Sequence, residues 1–325
     1  MLVGIQQIEI MQKLKVVISG GGTGGHIFPA VSIAKSLEDK IDDVEILFVG
    51  ANNRMEMEKI PALGYNIIGL PIIGFQRKFD IRNFIFPLKL IISLFKSYRV
   101  IKNFNPDLVI GTGGYASGPL LFIASFLGLP SLIQEQNSYP GITNKILGRY
   151  VDKICVAYNN MERYFKTDKL VLTGNPIRNN ILNFSSKVSK GKTFFKIDNT
   201  KKTVLVLGGS LGARTINNAI FDNIGVFRDS NINLIWQTGT VFNSKANQVI
   251  DEINFPTINA YNFIKEIDLA YAVADIIVSR AGAIAISELC CVGKPVILVP
   301  SPNVSENHQF KNAQSLVNKK AALLV

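Results

Sequence analysis

Three glycine-rich runs, two histidines and a few well-placed acids and arginines are the groups in this chain whose types and spacing can do chemistry. Gly20-Gly21-Gly22-Thr23-Gly24-Gly25 follows the apolar run Lys15–Ser19 and leads directly into His26. Glycines there let a ligand approach the backbone. The helix expected next, with Pro29 in its first turn, aims unpaired N–H groups at an anion. The spacing Gly20-x-Gly22-x-x-Gly25 fits a dinucleotide loop, but such a site also needs an acid at the end of the second strand to hold a ribose. That strand, Glu45–Val49, runs into Gly50-Ala51-Asn52-Asn53-Arg54, which offers no acid in place. Arg54 suits a 2′-phosphate, so an NADP enzyme remains the alternative at this point. A similar loop, Gly208-Gly209-Ser210-Leu211-Gly212-Ala213, follows Lys202–Leu207, and a third, Gly111 to Pro119, follows Leu108–Ile110. Three such loops at strand ends imply a ligand crevice along one edge of the sheets. His26 is expected to project into it, and histidine as a residue type titrates near neutral pH, which suits a general base. The competing reading is a helix-start histidine satisfied by backbone.

These loops require strands that end together and helices that follow them. Short β-branched runs supply the strands at Val16–Ser19, Glu45–Val49, Leu108–Ile110, Ser131–Ile133 and Lys153–Val156. Segments of helical length, such as Pro29–Lys40 and Phe84–Asn103, lie between them, a pattern of βαβ units around a parallel sheet. The pattern restarts at Thr203–Leu207 and continues through Asn233–Gln237, Asp275–Ser279 and Pro295–Pro300. With 325 residues, the chain is expected to form two α/β domains, 13–174 and 175–325. The linker is expected in the polar stretch Asn183–Thr200 or in Gly174–Arg178 just before it.

Composition narrows the class. Lys and Arg number 35 against 24 Asp and Glu, a net +11, which favours anionic partners or simply reflects solubility and a genome whose proteins are rich in Lys, Asn and Ile. No aromatic-basic RNA-binding motif or helix-turn-helix is recognisable, so nucleic acid is not expected as a partner. Cys155, Cys290 and Cys291 are odd in number, with two adjacent, and are expected to be reduced, mostly buried thiols. Residues 1–10 carry Glu9 and no basic n-region, so they are not read as a signal peptide. The most apolar stretch, Phe84–Phe95, contains Pro87 and Lys89 and falls short of the ~18 residues that span a bilayer. The protein is therefore expected to be soluble or peripheral.

Six motifs in order carry a resemblance. They are Gly21-Gly22-Thr23-Gly24-Gly25-His26-Ile27-Phe28-Pro29, Gly113-Gly114-Tyr115-Ala116-Ser117-Gly118-Pro119, Glu135-Gln136-Asn137, Gly174-Asn175-Pro176-Ile177-Arg178, Gly208 through Arg214, and Arg280-Ala281-Gly282-Ala283 through Ser287-Glu288. From about residue 13 to its end the chain resembles the MurG family, which moves N-acetylglucosamine from UDP-N-acetylglucosamine to lipid I, making lipid II for peptidoglycan. The resemblance implies a GT-B fold, in which two Rossmann-like parallel-sheet domains face a cleft, and an inverting transferase that needs neither metal nor cofactor. It implies an N-terminal acceptor and membrane-side domain and a C-terminal donor domain.

By the same resemblance the donor-binding residues are Thr23, Gly24, Gly25, Asn137, Arg178, Ser210, Ile264, Ala283, Ile284, Ala285, Ile286, Ser287, Glu288 and Gln309. Ser210 and its loop suit a diphosphate, Arg178 offsets phosphate charge, Glu288 can accept from two ribose hydroxyls, and Ile264 presents backbone to uracil. His308 can share the role of Gln309. The expected base is His26, with Glu135 second, and Tyr115 is expected to position the acceptor. Residues 72–102 interleave Ile72, Ile73, Phe75, Phe79, Ile81, Phe84, Ile85 and Phe86 with Arg77, Lys78, Arg82 and Lys89. That mixture suits the anionic cytoplasmic face of the inner membrane, against the plainer reading of a buried helix with a basic edge. The chain stops in a strand-like Ala321–Val325, where family members are expected to continue through closing helices. The alternatives kept are another UDP-sugar transferase or epimerase, and a non-catalytic basic binding protein.

Overall fold

The computed structural model describes residues 13–74, 82–209, 212–302 and 307–325, with only the backbone of Arg82 and Asn83. The chain divides into two compact units. One comprises residues up to Gln136 together with Pro140–Pro176, and the other Asn137–Tyr139 together with Ile177–Val325.

The first unit carries strands β1 (Leu14–Gly20), β2 (Val44–Ala51), β3 (Asn66–Leu70), β4 (Leu108–Gly113), β5 (Ser131–Glu135), β6 (Lys153–Val156) and β7 (Leu170–Leu172). Its helices are α1 (Gly24–Glu38), α2 (Glu56–Lys59), α3 (Arg82–Phe104), α4 (Ser117–Phe126) and α5 (Ile142–Leu147). The seven strands pair in parallel in the order β3-β2-β1-β4-β5-β6-β7. The second unit repeats the plan with β8 (Thr203–Leu207), β9 (Asn233–Gln237), β10 (Ile258–Tyr261), β11 (Ile276–Ser279), β12 (Val296–Leu298) and β13 (Leu323–Leu324), ordered β10-β9-β8-β11-β12-β13. Its helices are α6 (Asn179–Leu182), α7 (Val188–Phe194), α8 (Arg214–Asp222), α9 (Ile224–Asp229), α10 (Asn243–Ile253), α11 (Ile267–Val273), α12 (Ala283–Val292) and α13 (His308–Val317).

The central strands read as continuous apolar runs because both sheet faces are covered. In β1, Val16 and Ile18 pack with Ile27, Ala30 and Ala34 of α1, whereas Val17 joins Leu120 and Leu121 of α4 on the other face. In β8, Leu205 and Leu207 face Ala270 and Leu289, while Val206 faces Ile216 and Ala246. Each fully buried side chain of this size contributes roughly 1.5–3 kcal/mol. The strands are thus anchored by their middles, and the loops at their carboxyl ends can be given over to glycine.

Chain order fixes where those loops meet. From β1 the chain winds outward through β2 and β3, then crosses back to β4 on the other side of β1. The loops after β1 and β4 therefore flank a switch point, the place where open α/β sheets bind ligands. The second unit has the same reversal between β8 and β11, so the loops after those two strands are neighbours as well.

Four expectations change or narrow. β4 runs through Gly111 and Thr112 to Gly113, so the third glycine cluster begins inside the strand. A Cβ on Gly111 would lie 2.3 Å from Leu121 Cδ2, which makes that glycine a strand–helix packing residue. Pro29 lies inside α1 as its sixth residue, because the helix already begins at Gly24. Of the two stretches expected to hold the linker, Gly174–Arg178 contains the division, at Pro176/Ile177, and the other is helical over residues 184–194, packing by Gly191 against Leu269 and by Phe195, 1% exposed. The cysteines are free but not mostly buried. Ile286, Leu289 and Val292 take the inward side of α12, which leaves Cys290 and Cys291 exposed on the other.

Candidate active site

The loop after β1 folds back on itself to orient His26. Its Nδ1 lies 2.9 Å from the Gly21 carbonyl and 3.4 Å from Thr23 Oγ1. A carbonyl can only accept, so Nδ1 carries the proton and Nε2 keeps its lone pair in the neutral ring. Among the described residues no hydrogen bond reaches Nε2. That edge of the ring lies against Gly113, where an added Cβ would sit 3.0 Å from Nε2, at a φ of +100°. Gly114, at φ +92°, comes so close to the first loop that a Cβ would lie 2.4 Å from Gly21 O. The two loops at the switch point thus interlock, and glycine is required at both positions by contact and by backbone conformation. Beneath them Ser117 Oγ donates to Gly113 O at 2.9 Å, and Thr112 Oγ1 donates to His26 O at 2.8 Å.

Glu135 ends β5 and is 1% exposed. Its Oε2 accepts from Asn144 Nδ2 at 2.8 Å and from Gly141 N at 3.1 Å, which ties the carboxylate to the start of α5. Tyr115 is 43% exposed, and its ring covers Gly74, where a Cβ would collide with Cζ. Two quoted motifs meet in a polar knot: Gln134 Nε2 donates to Asn175 Oδ1 at 2.9 Å, and Asn175 Nδ2 donates to Gln136 O at 3.1 Å. Gln136 Nε2 in turn donates to Thr112 O at 2.7 Å.

In the second unit Arg178 and Glu288 form a forked ion pair, Nε to Oε1 at 2.8 Å and Nη2 to Oε2 at 2.9 Å. Tyr271, 1% exposed, donates its hydroxyl to Glu288 Oε2 at 3.3 Å. Two of the five guanidinium N–H donors are thereby committed, leaving the rest to meet an anion. Ala283, Ile284, Ala285, Ile286, Ser287 and Glu288 form the first turns of α12, which follows β11 at the switch point; Ser287 Oγ donates to Ala283 O at 3.1 Å. Ile264 is buried and its N–H donates to Gln237 Oε1 at 3.0 Å, so that group is already in use. Gln309, in the first turn of α13, accepts from Ser301 N at 2.8 Å. Asn137 Oδ1 accepts from Asn312 Nδ2 at 3.2 Å, and Ser138 is held by Asn312 Oδ1. Arg280 donates to Val299 O, Pro300 O and Thr215 Oγ1, joining the loops after β11 and β12 to α8. Ser210 lies outside the described residues.

Comparison with known proteins places this geometry. The family model described as glycosyltransferase family 28 N-terminal domain matches residues 16–156, and the C-terminal domain of the same family matches 203–325. A Flavobacterium psychrophilum protein named UDP-N-acetylglucosamine–N-acetylmuramyl-(pentapeptide) pyrophosphoryl-undecaprenol N-acetylglucosamine transferase is 50% identical over 315 residues, covering 97% of this chain and 85% of its own length. The chain belongs to the MurG family. A Porphyromonas gingivalis MurG-family protein of the same name is 52% identical over 98% of this chain and 84% of its own. The crystal structure of Acinetobacter baumannii MurG superposes with a TM-score of 0.74 at 27% identity, over 96% of this chain and 86% of that one. A UDP-GlcNAc 2-epimerase from Methanocaldococcus jannaschii gives 0.61 at 15% identity, over 96% and 88%, a likeness of fold alone. This MurG-family chain is a glycosyltransferase with the GT-B fold.

Motif reading passed over Glu56, Tyr271 and Asn312. Glu56 is fully buried, and its carboxylate accepts from Gly22 N at 2.8 Å and Ala51 N at 3.0 Å. An acid therefore does reach the end of β2, but it faces the protein's own loop. The signal in the sequence was a pair of glutamates, Glu56 and Glu58, five and seven residues past the strand on α2, of which Glu56 is the buried one.

Proposed function

We propose that this chain transfers N-acetylglucosamine, with inversion, from UDP-N-acetylglucosamine to the 4-hydroxyl of the muramoyl-pentapeptide of lipid I, making lipid II for peptidoglycan. The observation that carries the chemistry is His26, a neutral-tautomer acceptor at Nε2 beside the interlocked glycine loops, in a chain about half identical to transferases of that name. His26 takes the proton as the acceptor hydroxyl attacks the anomeric carbon. In the same step the bond from that carbon to the diphosphate breaks, and UDP leaves with its electron pair. The second unit holds the donor. The loop after β8, with Ser210, takes the diphosphate, and Arg178, steadied by Glu288, offsets its charge. Asn137, Ile264, Gln309 and the residues Ala283–Glu288 complete the donor side, while Thr23, Gly24 and Gly25 border the transferred sugar. Glu135, tied into α5, supports the loop, and Tyr115 lines the acceptor side. An epimerase acting on UDP-sugar is the second reading. It processes donor alone, so UDP release that requires a lipid I analogue supports transfer, and C2 epimerisation without acceptor refutes it.

The acceptor is a lipid, and we assign its approach to the 72–102 segment. No helix among the described residues is long and apolar enough to cross a membrane. Helix α3 is apolar on both sides: Val100 and Ile101 are buried beside Ser93 and Ser97, while Phe84 (74%) and Phe95 (70%) are exposed with Leu88, Ile91 and Tyr98 on the same face. Lys89, Lys96, Arg99 and Lys102 lie along that helix. An apolar stripe with basic flanks suits an anionic bilayer surface. Ile72 and Phe86 instead pack in the core, and Phe75, Arg77, Lys78, Phe79 and Ile81, with the Arg82 side chain, lie outside the described residues. Replacing Phe84 and Phe95 by Ser is expected to lower the partition coefficient onto anionic vesicles about 100-fold or more, the two rings together burying roughly 3–6 kcal/mol. Unchanged binding, or equal binding to neutral vesicles, contradicts the assignment.

A further inference from the structure

We propose that Glu56 is a positioning residue for transfer: its buried carboxylate fixes the first glycine loop and, through the Gly21 carbonyl, sets which nitrogen of His26 carries the proton. The proposal rests on the reading of His26 as the base. Glu56 is 0% exposed. A buried carboxylate is costly unless its oxygens are satisfied. Here Oε2 accepts from Gly22 N–H at 2.8 Å and Oε1 from Ala51 N–H at 3.0 Å, and among the described residues no cation pairs with it. An apolar side chain there would leave the Gly22 and Ala51 N–H groups without an acceptor, so the acid is bound to the shape of the loop it satisfies.

What the acid does is hold the loop in one shape. It is wedged between two glycines: a Cβ on Gly21 would lie 2.1 Å from Oε1, and one on Gly50 2.5 Å from Cγ. The N–H it captures belongs to Gly22, at φ +84°, the residue that turns the loop away from β1. With Gly22 pinned on one side and Gly21 N–H donating to Gly113 O at 3.3 Å on the other, the Gly21 carbonyl is left aimed at His26 Nδ1. A free neutral imidazole has no such constraint on its tautomer. Holding the proton on Nδ1 keeps Nε2 ready to accept. The same contact gives the glycine loop of β1 a carboxylate partner from within the protein, an arrangement unsuited to a second diphosphate at that N–H.

The test uses Glu56→Gln, His26→Ala and the double variant, each assayed for transfer from UDP-N-acetylglucosamine to a lipid I analogue and for UDP binding, with ¹⁵N NMR of the His26 ring in the unaltered chain and in Glu56→Gln. Glutamine has the same shape but must turn an N–H toward one of the two backbone N–H donors. Glu56→Gln is expected to lower kcat about tenfold or more with donor KM within about threefold, and to add nothing to His26→Ala. The neutral His26 ring is expected to change from protonated Nδ1 to a mixture of tautomers. A loss that multiplies with that of His26→Ala, or an unchanged Nδ1–H signature, overturns the proposal. If His26→Ala keeps its rate, the base reading has failed, and the ring signature alone still decides whether Glu56 sets the tautomer. Glu56→Asp, one methylene short, carries the same readouts where the Gln variant folds poorly.

Discussion

Replacing His26 with Ala is expected to lower the transfer rate by ~10²–10⁴ while leaving UDP binding in place. The reasoning runs from the loop outward. The Gly21 carbonyl 2.9 Å from Nδ1 commits that nitrogen as a donor, and the lone pair on Nε2 is what remains to accept a proton. His26→Gln is the sharper companion variant, because its amide can hydrogen-bond but cannot take a proton at neutral pH. It is expected to lose about as much as Ala. A loss below about tenfold in either variant removes His26 from the base role. UDP affinity, measured calorimetrically, separates that result from a general defect.

The second large effect is expected at Glu288. Its side chain is 4% exposed and carries the fork to Arg178 and the Tyr271 hydroxyl. Burial, and then the Glu288 carboxylate itself, push the Tyr271 phenol far above its ordinary range, so it stays a donor across the working pH. Glu288→Ala leaves two guanidinium donors and a buried hydroxyl without their acceptor. Breaking a buried pair costs about 3–5 kcal/mol, and because Arg178 is 41% exposed and can rehydrate, the lower end applies. At about 3 kcal/mol the melting midpoint is expected to fall by roughly 6–12 °C. UDP affinity is expected to fall about 10–100-fold as Arg178 loses its support and the ribose loses an acceptor. Tyr271→Phe, which leaves the fork intact, is the control and costs about 1 kcal/mol. If Glu288→Ala melts no earlier than Tyr271→Phe and binds UDP normally, the donor-side account is wrong.

The central strands were legible because burial on both faces leaves no polar alternation to misread. Val16–Ile18 and Val204–Val206 declare themselves in the sequence alone. Three of the four edge strands did not: β3, β7 and β10 are short and partly exposed, and β7 buries little beyond Leu170. The glycine loops and His26 were legible for a related reason, since close loop contact demands glycine at fixed places next to a strand end. What joins them was not. Arg178 and Glu288 lie 110 residues apart, and Gln134 and Asn175 lie 41 apart. No local spacing records either pair. In the motif Glu135-Gln136-Asn137 the sequence likewise hid the partners: Glu135 is held by Asn144 of α5 and Gln136 bonds to the strand ends. The ribose acid sought after β2 illustrates the same point in reverse. Glu56 sits past the strand, on α2, where only the folded loop shows what its carboxylate reaches.

One measurement bears most directly on the whole reading. The chain is incubated with UDP-N-acetylglucosamine labelled in the sugar and with a lipid I analogue, and the product is isolated and its new linkage read by NMR. The account predicts label on the muramoyl 4-hydroxyl with the anomeric configuration inverted, UDP released in equal amount, and both lost in His26→Ala. Label that stays on UDP, returns as free sugar, or appears with retained configuration would contradict it.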